Sequence, residues 1–248
     1  MFDAAQIADR IETELTLMRS RDRAASQKRY LKSDLDFLGA TLGDIRRVTR
    51  LATRGTAAKS SPLDRGNALD LVAELWSKPL FERRMAAVLV LEWNAAHLRA
   101  ADMTVIERLV RESYTWALVD VLAANVVGEL ALRYRIRRVL DRWARDDDFW
   151  IRRSSLLAEM RPLKHGASFE SFAGRADTML DEKEFFIRKA IGWVLRETSK
   201  TRPDDVFDWI APRTDRASGV TLREAVKYLG DKRARLLMDA YRARRPAT

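Results

Sequence analysis

A short pattern, one aromatic residue followed by basic residues, returns along this chain at a nearly constant interval. The segments FERRMA, WIRRSS and FIRKAI begin at Phe81, Trp150 and Phe186, and two weaker matches begin at Trp116 and Leu222. These five starting positions lie 35, 34, 36 and 36 residues apart. Because one helix pair cannot bury its apolar face alone, a spacing that fits two helices per interval predicts stacked helix pairs, an α-helical solenoid. An irregular helical bundle is the alternative.

The stretches between turn-forming residues also predict helices. They are about 10 to 20 residues long with a period of 3.6, and none alternates with a period of two for long. The 10 glycines and 6 prolines are too few for a turn-rich β-sandwich or barrel. We therefore predict one all-α domain over residues 1–248, with N-terminal helices in 1–54 and repeats over about 62–245. Residues 56–61 (TAAKSS) are the predicted linker, and Pro62 is a predicted helix start.

Composition excludes several kinds of site. The chain has no cysteine and two histidines, which excludes disulfides, thiol catalysis and cysteine-ligated metals and nearly excludes a multi-histidine site. No metal and no cofactor are therefore predicted. The longest apolar run, Met85–Leu91, is far shorter than the roughly 18 residues typical of a membrane span. The N-terminus is acidic and amphipathic, unlike a signal peptide. We expect a cytoplasmic protein without membrane contact.

The repeat register predicts a basic surface. Positions 0, 3, 4 and 7 of a helix share one face, and in successive repeats they hold Arg84, Trp116, Asp120, Arg153, Lys189 and Trp193. Arg83, Arg152 and Arg188 would flank this face. With 46 basic and 36 acidic residues the net charge is +10, and arginine binds phosphate bidentately, so the surface suits an anionic polymer. The alternatives are a solvated charged face, a buried Trp193 whose indole N–H is bonded, and an Asp120 that pairs with a neighbouring arginine.

Five segments resemble a known family, the helical-repeat DNA alkylation repair enzymes or AlkD-like DNA glycosylases. The most specific is EFFIRKAIGWVLRETSK (Glu184–Lys200), which resembles the penultimate repeat of that family. The others are Tyr30–Lys32 with Phe37–Gly39, Trp116-x-x-x-Asp120, Trp150–Arg153 and Thr221–Lys227. The resemblance extends from about Tyr30 to Gly230. It implies a curved HEAT-like solenoid whose concave basic face holds duplex DNA.

The resemblance also implies a role for each matching residue. Asp120 would be the catalytic carboxylate, Trp116 and Trp193 would pack against the lesion nucleotide's deoxyribose and backbone, and Arg153 would hold phosphate. The residues expected to bind DNA are Tyr30, Lys32, Arg46, Arg83, Arg84, Arg152, Arg188 and Lys189. The implied partner is double-stranded DNA containing alkylated bases, and we expect a monomer.

The implied reaction is hydrolysis of the N-glycosidic bond of cationic N3- or N7-alkylpurines, without base flipping, in base excision repair. A cationic base leaves without much help from an acid, so the main task is to stabilise positive charge on the sugar. A preorganised carboxylate does this, and tryptophan faces add cation–π contacts. The alternative function is a non-catalytic helical-repeat adaptor that binds DNA or protein. The net charge favours DNA over protein, and Trp116 together with Asp120 favours catalysis.

Overall fold

The protein was studied as a computed structural model that describes residues 2–54 and 63–243. Within these ranges the regular elements are helices, and the single β-bridge joins Asp36 to Leu80. The prediction of an all-α fold is confirmed. The predicted linker 56–61 and the predicted helix start at Pro62 lie outside the described residues.

Contacts between Cα atoms divide the chain into two compact units, 1–130 and 131–248. The helices of the first unit are α1 (Ala4–Leu17), α2 (Arg21–Leu31), α3 (Leu42–Arg54), α4 (Arg65–Trp76), α5 (Phe81–Trp93), α6 (Met103–Arg111) and α7 (Trp116–Val121). A π-helical turn, Leu122–Val127, continues α7 directly into α8 (Gly128–Arg133), within which the unit boundary falls. Helix α5 is the centre of this unit: it packs against α1, α3, α4 and α7 and buries every residue from Phe81 to Leu91.

The second unit continues with shorter helix pairs. Its helices are α9 (Arg137–Trp143), α10 (Phe149–Leu157), α11 (Met160–Lys164), α12 (Phe169–Met179), α13 (Phe185–Ser199), α14 (Pro203–Ile210), α15 (Gly219–Ala225) and α16 (Asp231–Arg242). Several begin at a side chain that accepts a bond from the first turn: Asp148, Ser168, Glu184 and Ser218. These caps satisfy amide groups that a helix start leaves without partners.

Polar contacts link residues about one repeat apart within each unit. The amide of Asn125 donates to Glu92, 33 positions earlier, and the indole of Trp76 donates to Glu112, 36 positions later. In the second unit Arg213 bonds to Asp177, again 36 positions away. Bonds at this interval are what stacked helix pairs produce, and the prediction of a helical-repeat fold is confirmed. The single continuous domain, its curvature and its basic concave face stay predictions.

Candidate nucleic-acid interface

Helix α7 carries two of the predicted catalytic residues on one face. Thr115 caps it, with its hydroxyl oxygen accepting from the amide of Ala117 at 3.4 Å. Leu118 and Val119 point into the core, whereas Trp116 and Asp120 are half-buried and lie one helical turn apart. Asp120 has an interaction partner within the chain. The local geometry therefore pairs an indole and a carboxylate at i and i+4 on the partly open side of the helix.

The helix changes its geometry immediately after Asp120. Residues Leu122–Val127 form a π-helical turn, and its Asn125 donates a bond of 2.6 Å to Glu92 at the end of α5. Such turns are uncommon and often lie at functional sites. The sequence pattern does not reveal this turn, because five of its six residues are apolar and resemble those of an ordinary buried helix.

The end of α2 lies against the start of α7. The ring of Tyr30 meets the indole of Trp116 edge to face at 5.7 Å between centroids, and Tyr30 is 71% exposed. The carbonyl of Leu31 accepts a bond from the hydroxyl of Thr115. Lys32 follows with φ of 49°, which ends α2, and its side chain is exposed. The structure thus brings a predicted DNA-binding residue, Tyr30, into contact with a predicted catalytic one.

A buried carboxylate holds the loop that follows α2. Glu82 is fully buried, and its carboxylate accepts bonds from the amides of Leu38, Gly39 and Ala40 at 3.0, 2.8 and 3.2 Å. Burial raises the pKa of Glu82. Gly39 has φ of +83°, and a Cβ there would lie 2.2 Å from the carbonyl oxygen of Ser20. This position requires glycine.

The loop in turn fixes α2. Arg23 donates to the carbonyl of Gly39 at 2.7 Å, and Gln27 donates to that of Ala40 at 3.0 Å. Glu82 therefore acts on Tyr30 through the loop and α2. Sequence reasoning missed Glu82, although a signal exists: glutamate stands where the corresponding segments have Ile151 and Ile187.

The arginines at position 2 of the repeat segments bind protein carbonyls. Each guanidinium reaches carbonyls just before its own helix: those of Glu74 and Leu75 in the last turn of α4 for Arg83, of Asp146 and Asp147 in a loop for Arg152, and of Glu182 in a loop for Arg188. Arg152 also forms a bidentate pair with the carboxylate of Glu182 at 3.0 and 2.9 Å. Arg83, predicted to flank the basic surface, is 2% exposed and bonds to Glu12, so it is buried and not open beside that surface. The guanidinium of Arg83 donates to carbonyls in the last turn of α4, which have no partner within the helix.

The cations at position 3 reach the next repeat. Arg84 donates to the carbonyl of Glu112 and Arg153 to that of Phe186, 28 and 33 positions onward. Arg84 and Arg153 are 8% and 3% exposed, which corrects the prediction that both lie on an open basic face. The guanidinium of Arg84 also lies 4.9 Å from the centre of the Trp76 ring, and burial lowers its pKa. Both side chains therefore link neighbouring repeats. They supply the hydrogen-bond donors that these backbone carbonyls of the next repeat need.

Lys189 occupies the same position 3 but remains partly open. It bonds to Glu224 at 2.5 Å, 35 positions onward, and its side chain is 40% exposed. Lys189, Trp193 and Arg196 share one face of α13, and Trp193 is half-buried. The arrangement of indole and cations expected from the sequence is therefore present on α13.

Glu224 forms ion pairs with three cations, two of which flank Trp193 on α13. Lys189, Arg196 and Lys227 all pair with its carboxylate, at 2.5, 2.5 and 2.9 Å. Although burial opposes the shift, the hydrogen bonds from Lys189 and Lys227 lower the pKa of Glu224 to about 2. Three positive charges and one negative charge leave the cluster with a net charge of +2. Sequence reasoning did not select Arg196, Lys227 or Glu224 as site residues.

Gly192 allows this cluster to form. A Cβ on Gly192 would lie 2.9 Å from the carbonyl oxygen of Thr221 and 2.8 Å from the Cβ of Glu224. Helices α13 and α15 therefore approach one another more closely than a larger residue would permit. This approach places Glu224 between the cations that flank Trp193.

The remaining predicted DNA-binding residue, Arg46, is exposed on α3. Among residues 2–54 and 63–243, no helix is long and apolar enough to cross a membrane. The same residues contain no group of three or more histidine, cysteine, aspartate or glutamate side chains that could hold a metal ion.

The fold and these clusters define an all-α helical-repeat protein whose half-buried tryptophans stand beside a carboxylate on α7 and cations on α13. The profile of the family described as "DNA alkylation repair enzyme" matches residues 11–229. The chain belongs to this family, which supports a role in DNA alkylation repair. No curated protein matches the chain.

A solved structure resembles this chain over most of the length of both proteins. It is the "Predicted DNA alkylation repair enzyme from Enterococcus faecalis", with a TM-score of 0.74 and 22% sequence identity. The match covers 86% of this chain and 97% of that chain. At this identity the likeness concerns the fold.

Proposed function

We propose that this protein is a DNA glycosylase that hydrolyses the N-glycosidic bond of cationic N3- and N7-alkylpurines in duplex DNA. The observation that carries the proposal is the pair of Trp116 and Asp120 on one face of α7, with Tyr30 against the indole. Membership of the alkylation repair family supports it.

The chemistry follows from the groups on α7. As the C–N bond to a cationic purine stretches, positive charge develops on the deoxyribose, and the base leaves as a neutral molecule. The carboxylate of Asp120 stabilises the charge on the sugar and orients the attacking water, whose proton it accepts. The Trp116 ring packs against the sugar and adds a cation–π attraction of about 1 to 2 kcal/mol when water is excluded.

In the second unit, α13 carries other residues to which the proposal gives a role. Trp193 would pack against the lesion nucleotide's backbone, and the exposed part of Lys189 would bind phosphate. Arg196 and Lys227 add positive charge next to them. We propose that the lesion stays stacked in the duplex, because the residues assigned to the site are suited to contact sugar and phosphate rather than to enclose a base.

Arg153 has a structural part in this proposal. Its buried guanidinium bonds to the carbonyl of Phe186, the residue that begins the FIRKAI segment of α13. Arg153 would therefore support the start of α13, and so Lys189 and Trp193, rather than hold phosphate itself.

The test is single-turnover release of N7-methylguanine from a duplex by the wild type and by Asp120→Asn. Asparagine keeps the shape of the side chain and removes its charge, so the rate should fall by roughly 10- to 1000-fold. Duplex affinity should hold or rise slightly, because a negative charge has left the surface. The matched control is Asp70→Asn, the same change at an exposed carboxylate of α4, which should leave the rate unchanged.

Two results would contradict the proposal. A wild-type protein that binds duplex DNA but releases no base from either N3- or N7-alkylated substrate would favour the non-catalytic adaptor. An Asp120→Asn protein that is less stable to heat, yet whose folded fraction reacts at the wild-type rate, would show that Asp120 is only a structural ion-pair partner.

A further inference from the structure

Arg84, on α5, is a buried cation that is held by a backbone carbonyl and by aromatic rings. Its guanidinium donates to the carbonyl of Glu112. Within residues 2–54 and 63–243 its Nε has no hydrogen-bond partner, and the guanidinium forms no ion pair. Burying a charge without an ionic partner is unfavourable, and burial accordingly lowers the pKa of Arg84. Contacts of another kind must therefore keep this charge in place.

Two rings lie against the guanidinium of Arg84. Its central carbon is 4.9 Å from the ring centre of Trp76 and 5.9 Å from that of Tyr114. The indole of Trp76 also donates to the carboxylate of Glu112 at 2.8 Å. Glu112 is thus held through its side chain as well as through its carbonyl. Because cation–π contacts are stronger when water is excluded, we treat these four residues as one unit, the Arg84 cluster.

Tyr114 is the member of the Arg84 cluster with a strained backbone. Its φ is 51°, in the left-handed region that bulky residues seldom adopt. Burial of the ring does not explain this conformation, because Tyr114 is 55% exposed. Such strain persists only where surrounding contacts hold it, and it is common at functional sites. The ring contact of Tyr114 is with Arg84.

The loop 112–115 leads directly into the proposed catalytic helix. Ser113 is fully buried, and its hydroxyl donates to the carbonyl of Leu109 at 2.7 Å. Thr115 caps α7, which begins at Trp116. Every residue of this loop therefore has a defined contact, and a shift of the loop would move the start of α7.

We propose that Arg84 and Tyr114 are positioning residues for the proposed reaction. The stacked guanidinium fixes the loop 112–115 and, with it, the orientation of Trp116 and Asp120. This inference deepens the proposed function and rests on it. Arg84 and Tyr114 act on the rate through geometry and not through contact with DNA, because reacting groups must be held close to their productive arrangement. Their loss should slow catalysis without weakening duplex binding.

The experiment measures single-turnover release of N7-methylguanine from a duplex over a range of enzyme concentrations. Each variant gives a maximal rate and an enzyme concentration at half-saturation. Tyr114→Gly removes the ring and should still fold, because glycine adopts this φ without strain. Its maximal rate should fall by about 10- to 100-fold, since a misplaced reacting group slows catalysis to that extent, while half-saturation should not change. Tyr114→Phe keeps the ring beside Arg84 and should react like the wild type.

Arg84→Gln removes the charge and the stacking plane, and it should slow the reaction to a similar extent. The double variant Arg84→Gln with Tyr114→Gly should be no slower than the slower single variant, because both changes break the same contact. If Arg84→Gln does not fold, the two Tyr114 variants still decide. The matched control is Tyr228→Gly, which removes an exposed tyrosine ring that lies 5.0 Å from the Nζ of Lys200 in the second unit. Its maximal rate and half-saturation should equal those of the wild type.

The possible results have distinct meanings. A slow Tyr114→Gly with unchanged half-saturation, together with a fast Tyr114→Phe, supports the inference. A wild-type maximal rate in Tyr114→Gly or in a folded Arg84→Gln overturns it and leaves the proposed glycosylase intact, as does a Tyr114→Gly that only binds DNA more weakly. A Tyr114→Phe as slow as Tyr114→Gly would assign the effect to the hydroxyl and also overturn it. A wild type that releases no base overturns the proposed function and this inference together.

Discussion

The ring of Tyr30 meets the indole of Trp116 edge to face, with centroids 5.7 Å apart and planes at 82°. These residues are 86 positions apart in the sequence, and the loop bound by Glu82 brings them together. The contact fixes the orientation of an indole that stands one turn from Asp120. It gives an exposed tyrosine a positioning role for the proposed site in addition to any contact with DNA.

Two substitutions at Tyr30 distinguish these roles. Aromatic pairs contribute about 0.5 to 1.5 kcal/mol, so Tyr30→Ala should slow single-turnover excision of N7-methylguanine by about 2- to 10-fold. Tyr30→Phe keeps the ring and should react at nearly the wild-type rate. A phenylalanine variant as slow as the alanine variant would show that the hydroxyl, not the edge contact, matters.

Gly192 and Gly174 should respond in opposite directions to alanine. At Gly192 the new Cβ meets the backbone of Thr221, so we expect a loss of about 1 to 3 kcal/mol of unfolding free energy. At Gly174, inside α12, nothing lies within 4 Å of the new Cβ, and alanine should stabilise by about 0.5 to 1 kcal/mol. Denaturant unfolding measures both. A neutral Gly192→Ala would mean that α13 and α15 separate easily.

The buried Glu82 should make stability depend on pH in a recognisable way. Since burial raises its pKa above the ordinary value of 4.5, its contribution is full below pH 4.5 and is lost as pH rises through the folded-state pKa. Glu82→Gln should lower the unfolding free energy by about 1 to 3 kcal/mol, because either oxygen of the protonated carboxyl group can accept from the loop amides and the glutamine nitrogen cannot. The deficit should be largest at the acidic end and shrink as pH rises. Glu74→Gln, at an exposed position of α4, should show neither effect.

Glu224 should show the opposite dependence. Its pKa is lowered from 4.5 to about 2, so its contribution is present above pH 4.5 and is lost as pH falls toward 2. That contribution is on the order of 2 to 3 kcal/mol. Glu224→Gln should therefore be less stable than the wild type at pH 7, and the gap should narrow between pH 5 and 3. If urea unfolding gave the same difference in unfolding free energy between the wild type and Glu224→Gln at pH 5 and at pH 3, Glu224 would not contribute to the loss of stability in acid. The exposed Glu170→Gln is the control.

Neutral bases should not be released. The residues assigned to the proposed site include no histidine and one carboxylate, Asp120, which is needed in its charged form. A neutral leaving base requires an acid to protonate it, whereas an N7-alkylpurine does not. Duplexes containing uracil or hypoxanthine should stay intact under conditions that deplete N7-methylguanine. Efficient release of either base would require a different mechanism.

The spacing of the FERRMA, WIRRSS and FIRKAI segments was sufficient to predict a helical-repeat fold, because the repeat length of stacked helix pairs appears as a regular interval in the sequence. The placement of Trp116 and Asp120 on one face also followed from the helical period. The direction of Arg84 and Arg153 did not. Whether such a cation faces solvent or the carbonyl of the next repeat depends on how two helices pack. The spacing of residues in the sequence does not determine that packing.

The same physical reason accounts for Glu82 and Glu224. The amides that Glu82 binds lie 42 to 44 positions away, and two of the three cations on Glu224 lie 28 and 35 positions away, so the role of neither residue follows from its immediate neighbours. The π-helical turn after Asp120 was hidden for a different reason. A largely buried and mostly apolar segment can adopt α or π geometry with the same residues, and only the packing around it selects one.

In the second unit, cations that bind the next repeat couple each helix pair to its immediate neighbour. Within such an arrangement, unfolding proceeds by fraying from an end rather than by collapse of one shared core. Helix α16, in which Leu237 is the one fully buried residue of twelve, is the element from which fraying in the second unit would begin. Amide protons of α16 should exchange before those of α13, so α16 would unfold while Trp193 and its cations remain in place.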